Sequence, residues 1–303
     1  MATELLPDFE AGVEYWANTE ASVNGVLGGY GEGTPVPRLD ATASRLLILS
    51  LLPQLSTITP PHLTQPSSAS SASPRPSRPF RALDCGAGIG RVTSTVLLAL
   101  FDTVDLVEPV PSFVERAKNN ALEGKEGWAH LHPSKTGAPP KKGVRIWKAG
   151  LQHFDPICPT RPVGGGKVEL FATVGGDAAA WVDPGRELDV KGGEGYDIVM
   201  IQWCIGHLSD DELVTFLLRS RAALRQSAEG KCEGFIVLKE NVCKDSDGIN
   251  GNGRLFDDDD SSITRSDKAF REVFARAGLT LLRREVQQGF PEELFPVVAY
   301  ALQ

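Results

Sequence analysis

The stretch Asp84-Cys-Gly86-Ala-Gly88-Ile-Gly90-Arg91 lies between a short apolar run and a segment with helical spacing. Glycines at such a junction let the backbone turn tightly and let a ligand approach it closely. Glu108 closes the next apolar run, where a carboxylate can accept both hydroxyls of a ribose. Together the two features describe a site for a nucleoside-containing ligand. The glycines alone would also suit a plain strand-to-helix turn. A dinucleotide fingerprint, G-x-G-x-x-G, would put its third glycine at position 91, which is Arg91. The spacing present is G-x-G-x-G, the pattern of S-adenosylmethionine (AdoMet) sites. That ligand carries a carboxylate and no pyrophosphate, and an arginine can pair with a carboxylate bidentately. Arg91 alone would equally suit a helix surface. The adenine side falls near the end of the third strand, around Leu151 and Gln152, where Gln152 could also be an ordinary loop amide.

The elements that must position these residues alternate. Arg81 to Cys85 is a predicted strand, Ile89 to Phe101 a helix, Thr103 to Val107 a strand, and Pro111 to Leu122 a helix with proline at its start. Strands follow at Val144 to Lys148, Tyr196 to Trp203 and Gly234 to Lys239. Ser209-Asp-Asp-Glu212 is a capping box opening a helix to about Leu224. A further helix spans Ser266 to Ala277. Leu279 to Val286 and Leu294 to Leu302 have no helix between them and should pair antiparallel. The expectation is an α/β fold with an open, mostly parallel seven-stranded sheet and helices on both faces. Residues 1–55 form an N-terminal helical extension ending in an apolar helix, Thr42 to Leu52. Residues 56–303 carry the sheet, with insertions near 60–79, 124–143 and 161–195. The first is rich in Ser and Pro and cannot bury apolar surface. The third contains nine glycines, and Val168 to Val174 within it could form a small hairpin.

The chain has 303 residues, 41% hydrophobic and 23% charged, which can fill a sizeable core and excludes a wholly disordered or fibrous protein. The formal charge is −8, the opposite sign to that of a general nucleic-acid binder. The five scattered cysteines form no C-x-x-C pair, which argues against a disulfide framework or a zinc site and implies no metal. The start of the chain lacks a basic-then-apolar signal, and no apolar run reaches membrane-spanning length. A soluble cytoplasmic or nuclear monomer is expected.

Several further stretches carry a resemblance. Tyr15-Trp16, Gly25-Val-Leu-Gly-Gly-Tyr-Gly31, Leu83 to Arg91, Gly150-Leu-Gln-His-Phe154, Ile201-Gln-Trp-Cys-Ile-Gly-His207, Lys239-Glu-Asn241 and Asp257-Asp-Asp-Asp-Ser-Ser262 resemble the eukaryotic α-N-terminal protein methyltransferases of the X-Pro-Lys/Arg type. The resemblance runs from about Tyr15 to the C-terminus. It implies a class I AdoMet methyltransferase (Rossmann-like) sheet with an antiparallel C-terminal hairpin. It also implies that Gly86, Gly88, Arg91, Glu108, Pro109, Val110, Leu151, Gln152 and Gln202 bind AdoMet. Trp16, Leu27, Gly28, Trp203, Asn241, Asp257 and Asp258 would hold the N-terminal tail of a protein substrate, and Asp260 and His207 would assist catalysis. The family often has Asp at the position of Glu108; both accept two hydroxyls. The resemblance also implies a departure at Phe295, which stands where relatives carry Tyr.

The chemistry asks little of the protein. Methyl transfer to an amine needs positioning and the loss of one proton, and an α-amine has a pKa of ~8. Asp260 or His207 would suffice as the base, His being nearer the operating pH. Without the resemblance, each of these residues has a plainer reading. His207 would be a capping histidine, the aspartates a solvated turn, the tryptophans core, Asn241 a turn residue and Gly25 to Gly31 a simple glycine loop rather than a lid. Three other functions compete on the same pattern: a small-molecule N- or C-methyltransferase, a non-catalytic AdoMet-binding scaffold, and, disfavoured by Arg91, a dehydrogenase.

Overall fold

In the computed structural model, residues 6–56, 78–133, 142–176 and 181–303 are described. Three helices come first: α1 (Phe9–Ala17), α2 (Val23–Val26) and α3 (Val36–Leu51). The chain then enters β1 (Arg81–Cys85). It continues through a π-helical turn, Thr93–Leu97, that runs into α4 (Leu98–Leu100), then β2 (Thr103–Glu108), α5 (Pro111–Glu123), β3 (Gly143–Lys148) and β4 (Glu169–Gly175). The second half holds β5 (Ile198–Gln202), α6 (Asp210–Ala222), β6 (Phe235–Cys243), β7 (Arg254–Asp257), β8 (Ser262–Ser266), α7 (Asp267–Arg276), β9 (Leu281–Val286) and β10 (Val297–Leu302).

The strands lie side by side in the order β4-β3-β2-β1-β5-β6-β10-β9. Pairing from β3 through β6 is parallel, and both β6–β10 and β10–β9 are antiparallel. All residues of β1, β2, β5 and β10 are buried, as expected of strands covered on both faces. On one face, Leu213, Phe216 and Leu217 of α6 and Phe270 and Phe274 of α7 pack against Leu83, Ile201, Leu238 and Tyr300. On the other, Leu47 and Ile48 of α3, Leu98 and the α5 residues Val114 and Ala117 pack against Ala82, Leu106, Ile146 and Met200. The order reverses between β1 and β5. That reversal opens a crevice at the carboxyl ends of the strands, where α/β sheets bind ligands.

The structure corrects the sequence reading at four places. An eighth strand joins the seven expected: Val168 to Val174 forms no hairpin of its own, and β4 instead pairs antiparallel with β3 as a new sheet edge. The segment after Gly124 is not a plain insertion. Its short 3-10 helix, Glu126–Leu131, buries Trp128 and Leu131 in the core. The N-terminal helix is longer than Thr42 to Leu52 and begins at Val36, because the Pro35–Pro37 stretch suits a helix start. Finally, no element was expected between Lys239 and Ser266, where the aspartate run stands. That run is the bend of a β7–β8 hairpin in which Asp257 pairs with Ser262, and β8 attaches parallel to β6 through Val242–Arg265. Most of the Ser/Pro-rich stretch 66–79 lies outside the described residues.

Candidate active site

Each strand of the parallel core delivers one piece of the crevice. The loop after β1 contributes Gly86 and Gly88, and the end of β2 contributes Glu108, Pro109 and Val110. The turn after β3 contributes Leu151 and Gln152, and the end of β5 contributes Gln202. Arg91 completes the set, so all nine residues expected to bind AdoMet line one cavity. Phe9, Gly12, Val13 and Trp16 of α1 form its roof. Gly86 has φ 58°, and a Cβ there would lie 2.2 Å from the Cys204 Cβ, so no other residue fits between β1 and β5.

Glu108 is buried and accepts hydrogen bonds from the Gly88 N–H (2.8 Å) and the Val110 N–H (2.9 Å). Burial pushes its carboxyl up to about 7, an effect that the two backbone donors only partly offset. The carboxyl is therefore neutral below that pH and better able to accept two hydroxyls above it. AdoMet affinity should rise between pH 6 and 8 with release of a proton, as calorimetry in two buffers of different ionisation enthalpy would read. Asp84, pushed up to about 6 by burial, lines the same cavity, so the Glu108→Gln variant assigns the effect. That variant should bind more weakly and lose most of the pH dependence, and an unchanged slope would exclude Glu108. The sign for folding is opposite to that for binding. An acid whose pKa is raised on folding favours the native state below pH 4.5, and the benefit is lost as pH rises through 7.

The residue that organises this cavity was missed in the sequence. Asp40 of α3 is 0% exposed. It accepts from Arg91 Nη1 (2.6 Å), from Lys239 Nζ (2.5 Å) and from Gln202 Nε2 (2.9 Å to each oxygen). Burial alone would raise its pKa, but the Arg91 and Lys239 charges outweigh that and hold it low. One nitrogen of Arg91 is thus committed to Asp40, while the guanidinium still lines the cavity and stacks over Trp203 at 5.3 Å. Because Gln202 donates to a carboxylate, its Oε1 must point away from it, and that oxygen is buried without a partner.

A second cavity adjoins the first. Trp16, Val26, Trp203, Cys204 and His207 line both. The second also takes in Leu27, Gly28, Asn241, Asp260, Phe295 and Glu240. Of the seven residues expected to hold a peptide, five therefore line it. The other two, Asp257 and Asp258, are exposed at the hairpin bend, and Asp257 caps the Asp259 N–H at 2.9 Å. Phe295 is 45% exposed at the rim.

His207 and Asp260 are brought together by the hairpin. Arg265 of β8 is fully buried and donates to the carbonyls of Ile205 (3.1 Å) and Leu208 (2.6 Å), which flank His207. Its Nε also pairs with Asp210 at 2.7 Å. The turn holding His207 and the bend holding Asp260 are thus riveted by one guanidinium. Trp203 (φ 52°) and Ser261 (φ 54°) are two of four described non-glycine residues with positive φ. For a bulky residue such as Trp203 that conformation is costly and characteristic of functional positions. Five buried polar side-chain atoms at the two cavities have no partner: Gln202 Oε1, Trp203 Nε1, His207 Nδ1, Glu240 Oε2 and Asp260 Oδ1. Burying such an atom unsatisfied costs about 1–3 kcal/mol, and these five are free to meet the donors and acceptors of a ligand.

A family model described as AdoMet dependent proline di-methyltransferase matches residues 7–157 and 189–303. The chain belongs to this family. The gap between the matched stretches, 158–188, overlaps most of the glycine-rich third insertion. The chain is 33% identical over 294 residues to Alpha N-terminal protein methyltransferase 1 of Arabidopsis thaliana, covering 97% of this chain and 79% of that protein. It is 32% identical over 307 residues, the full length of both, to N-terminal Xaa-Pro-Lys N-methyltransferase 1-B of Xenopus laevis. Among solved structures, a SAM-dependent methyltransferase of Leishmania major superposes with a TM-score of 0.63 at 28% identity, covering 97% of this chain and 82% of that one. The fold is thus that of a class I AdoMet methyltransferase, and AdoMet is the cofactor. The residues present suit it: a glycine turn that leaves the backbone open, a buried carboxyl for the ribose, an arginine for the carboxylate and an unsatisfied amide oxygen at Gln202.

Proposed function

We infer that this protein transfers methyl groups from AdoMet to the α-amine of protein N-termini that begin X-Pro-Lys or X-Pro-Arg once the initiator methionine is removed. Enzymatic methylation of α-amines is the activity its relatives are named for. What carries the assignment in this molecule is the shared wall of the two cavities and the unsatisfied polar atoms along it. When bound, AdoMet supplies an electrophilic methyl group on sulfur. The protein's own work is to orient, desolvate and deprotonate the amine. Trp16 and Trp203 offer flat apolar walls for the first residues. The Asn241 side-chain amide can bond the peptide backbone. Asp260 Oδ1, buried and unpartnered, is placed to take the amine's proton. Asp257 and Asp258, exposed at the hairpin bend, would supply negative charge toward a Lys or Arg at the third position. The net charge of −8 agrees in sign with basic tails, and salt should weaken binding.

The test uses AdoMet carrying a labelled methyl group and a Ser-Pro-Lys-Arg peptide, free or N-acetylated. Label should enter the free peptide alone. Equal labelling of the acetylated peptide would move the reaction to lysine and end the α-amine assignment.

A further inference from the structure

The imidazole of His207 is held in a way that the expectation of a general base does not anticipate. The indole Nε1 of Trp16 lies 2.9 Å from His207 Nε2. An indole N–H can only donate, so Nε2 must accept and carries no proton. In the neutral ring the proton then resides on Nδ1, the buried nitrogen that is not bonded to Trp16. Neither nitrogen can receive a proton from a substrate amine in this arrangement: one lone pair is occupied and the other nitrogen is already protonated. α1 can approach this closely only because residue 12 is glycine. A Cβ there would stand 2.8 Å from His207 Nδ1. The N-terminal end of α1 is fixed in turn by the Asp8 N–H donating to Ser261 Oγ at 2.8 Å, on the hairpin that carries Asp260.

We propose that Trp16 is a positioning residue that fixes His207 as the neutral, Nδ1-protonated tautomer, so that Asp260 and not His207 accepts the proton from the amine. The proposal rests on the α-amine reading for its catalytic meaning, but the tautomer itself does not depend on what the substrate is. Burial lowers the His207 pKa, while the Asp260 charge and the Ser261 backbone on the hairpin work against this. Trp16 and Gly12 from α1 touch the ring, and Glu240 and Asn241 from the end of β6 line the same cavity. A donor bonded to Nε2 opposes protonation there. Removing it should raise the His207 pKa, and a charged imidazole would then compete with the substrate amine for the Asp260 carboxylate.

The test is nitrogen NMR on the full-length, ligand-free protein labelled with 15N in histidine and tryptophan, with the His207 signals assigned by loss in His207→Gln. The wild type should show His207 with protonated Nδ1 and bare Nε2, and a coupling across the hydrogen bond between Trp16 Nε1 and His207 Nε2. In Trp16→Phe, which keeps an apolar wall but has no N–H, His207 should pass to the Nε2-protonated tautomer. The acid limb of the pH–kcat profile should shift to higher pH by a unit or so, a tenfold loss of rate on that limb. Wild-type spectra with a protonated Nε2 and no coupling would overturn the proposal even if Trp16→Phe failed to fold. So would a Trp16→Phe protein with the tautomer and pH profile of the wild type. Failure of the α-amine reading would instead appear as unlabelled free peptide with the tautomer intact.

Discussion

Asp260→Asn should lower kcat by about 10²–10⁴-fold, the usual worth of a positioned general base, while AdoMet binds as before. The asymmetry follows from where the residue sits. Asp260 lines only the second cavity, whereas all nine residues expected to bind AdoMet line the first. Its Oδ1 is buried with no partner, so the carboxylate is available to a proton arriving on a substrate amine. Asparagine fills the same volume but cannot hold that proton. Stopped-flow binding of AdoMet alongside steady-state rates separates the two readouts. A variant with unimpaired turnover would remove Asp260 from the reaction, and a variant that lost AdoMet binding instead would make it structural.

Asp40→Asn should destabilise the protein by about 3–5 kcal/mol, the cost of breaking a buried ion pair on one side. The amide leaves Lys239, 2% exposed, and Arg91, 8% exposed, without the carboxylate that offsets their burial. One of the two oxygens that Gln202 bonds becomes an NH2 donor facing its own amide, so the same change should weaken AdoMet binding by displacing Arg91 and Gln202. Urea unfolding with and without AdoMet reads both effects. A loss below about 1 kcal/mol would show that water reaches the cluster and that Asp40 does not organise the cavity.

The parts of this fold that were legible in the sequence are those with strong local signals. The buried runs of β5 and β10 read as strands because their apolar residues are contiguous, and β1 and β2 because short apolar stretches precede the glycine loop and Glu108. Ser209 and Glu212 announced a capping box, which the structure forms in both directions, at 2.8 Å and 3.3 Å. The glycine loop and Glu108 were grouped by spacing alone, and both line the first cavity. The rest depended on contacts far apart in the chain. Asp40 resembles any solvated acid on an amphipathic helix, and its role requires Lys239, 199 positions away. The β7–β8 hairpin was hidden because Arg254–Asp257 and Ser262–Ser266 are short and polar. Their strand character comes from pairing with each other and with β6, and from the buried Arg265. The hydrogen bond between Trp16 and His207 spans 191 positions and involves two residue types whose ordinary role is core packing. Asp257 and Asp258 were grouped with Asp260 by adjacency, yet a tight bend turns neighbouring side chains in different directions, and only Asp260 reaches the cavity wall.

Methyl transfer across the shared wall requires that both ligands occupy their cavities at once and meet beside Asp260. A crystal structure with S-adenosylhomocysteine and a Ser-Pro-Lys-Arg peptide examines this directly. The thioether should lie in the cavity lined by Gly86, Glu108 and Gln202. The peptide α-nitrogen should face it from the other cavity, within hydrogen-bond reach of Asp260 Oδ1. A peptide bound with its α-nitrogen pointing to solvent, or seated with its lysine amine at Asp260, would contradict the assignment.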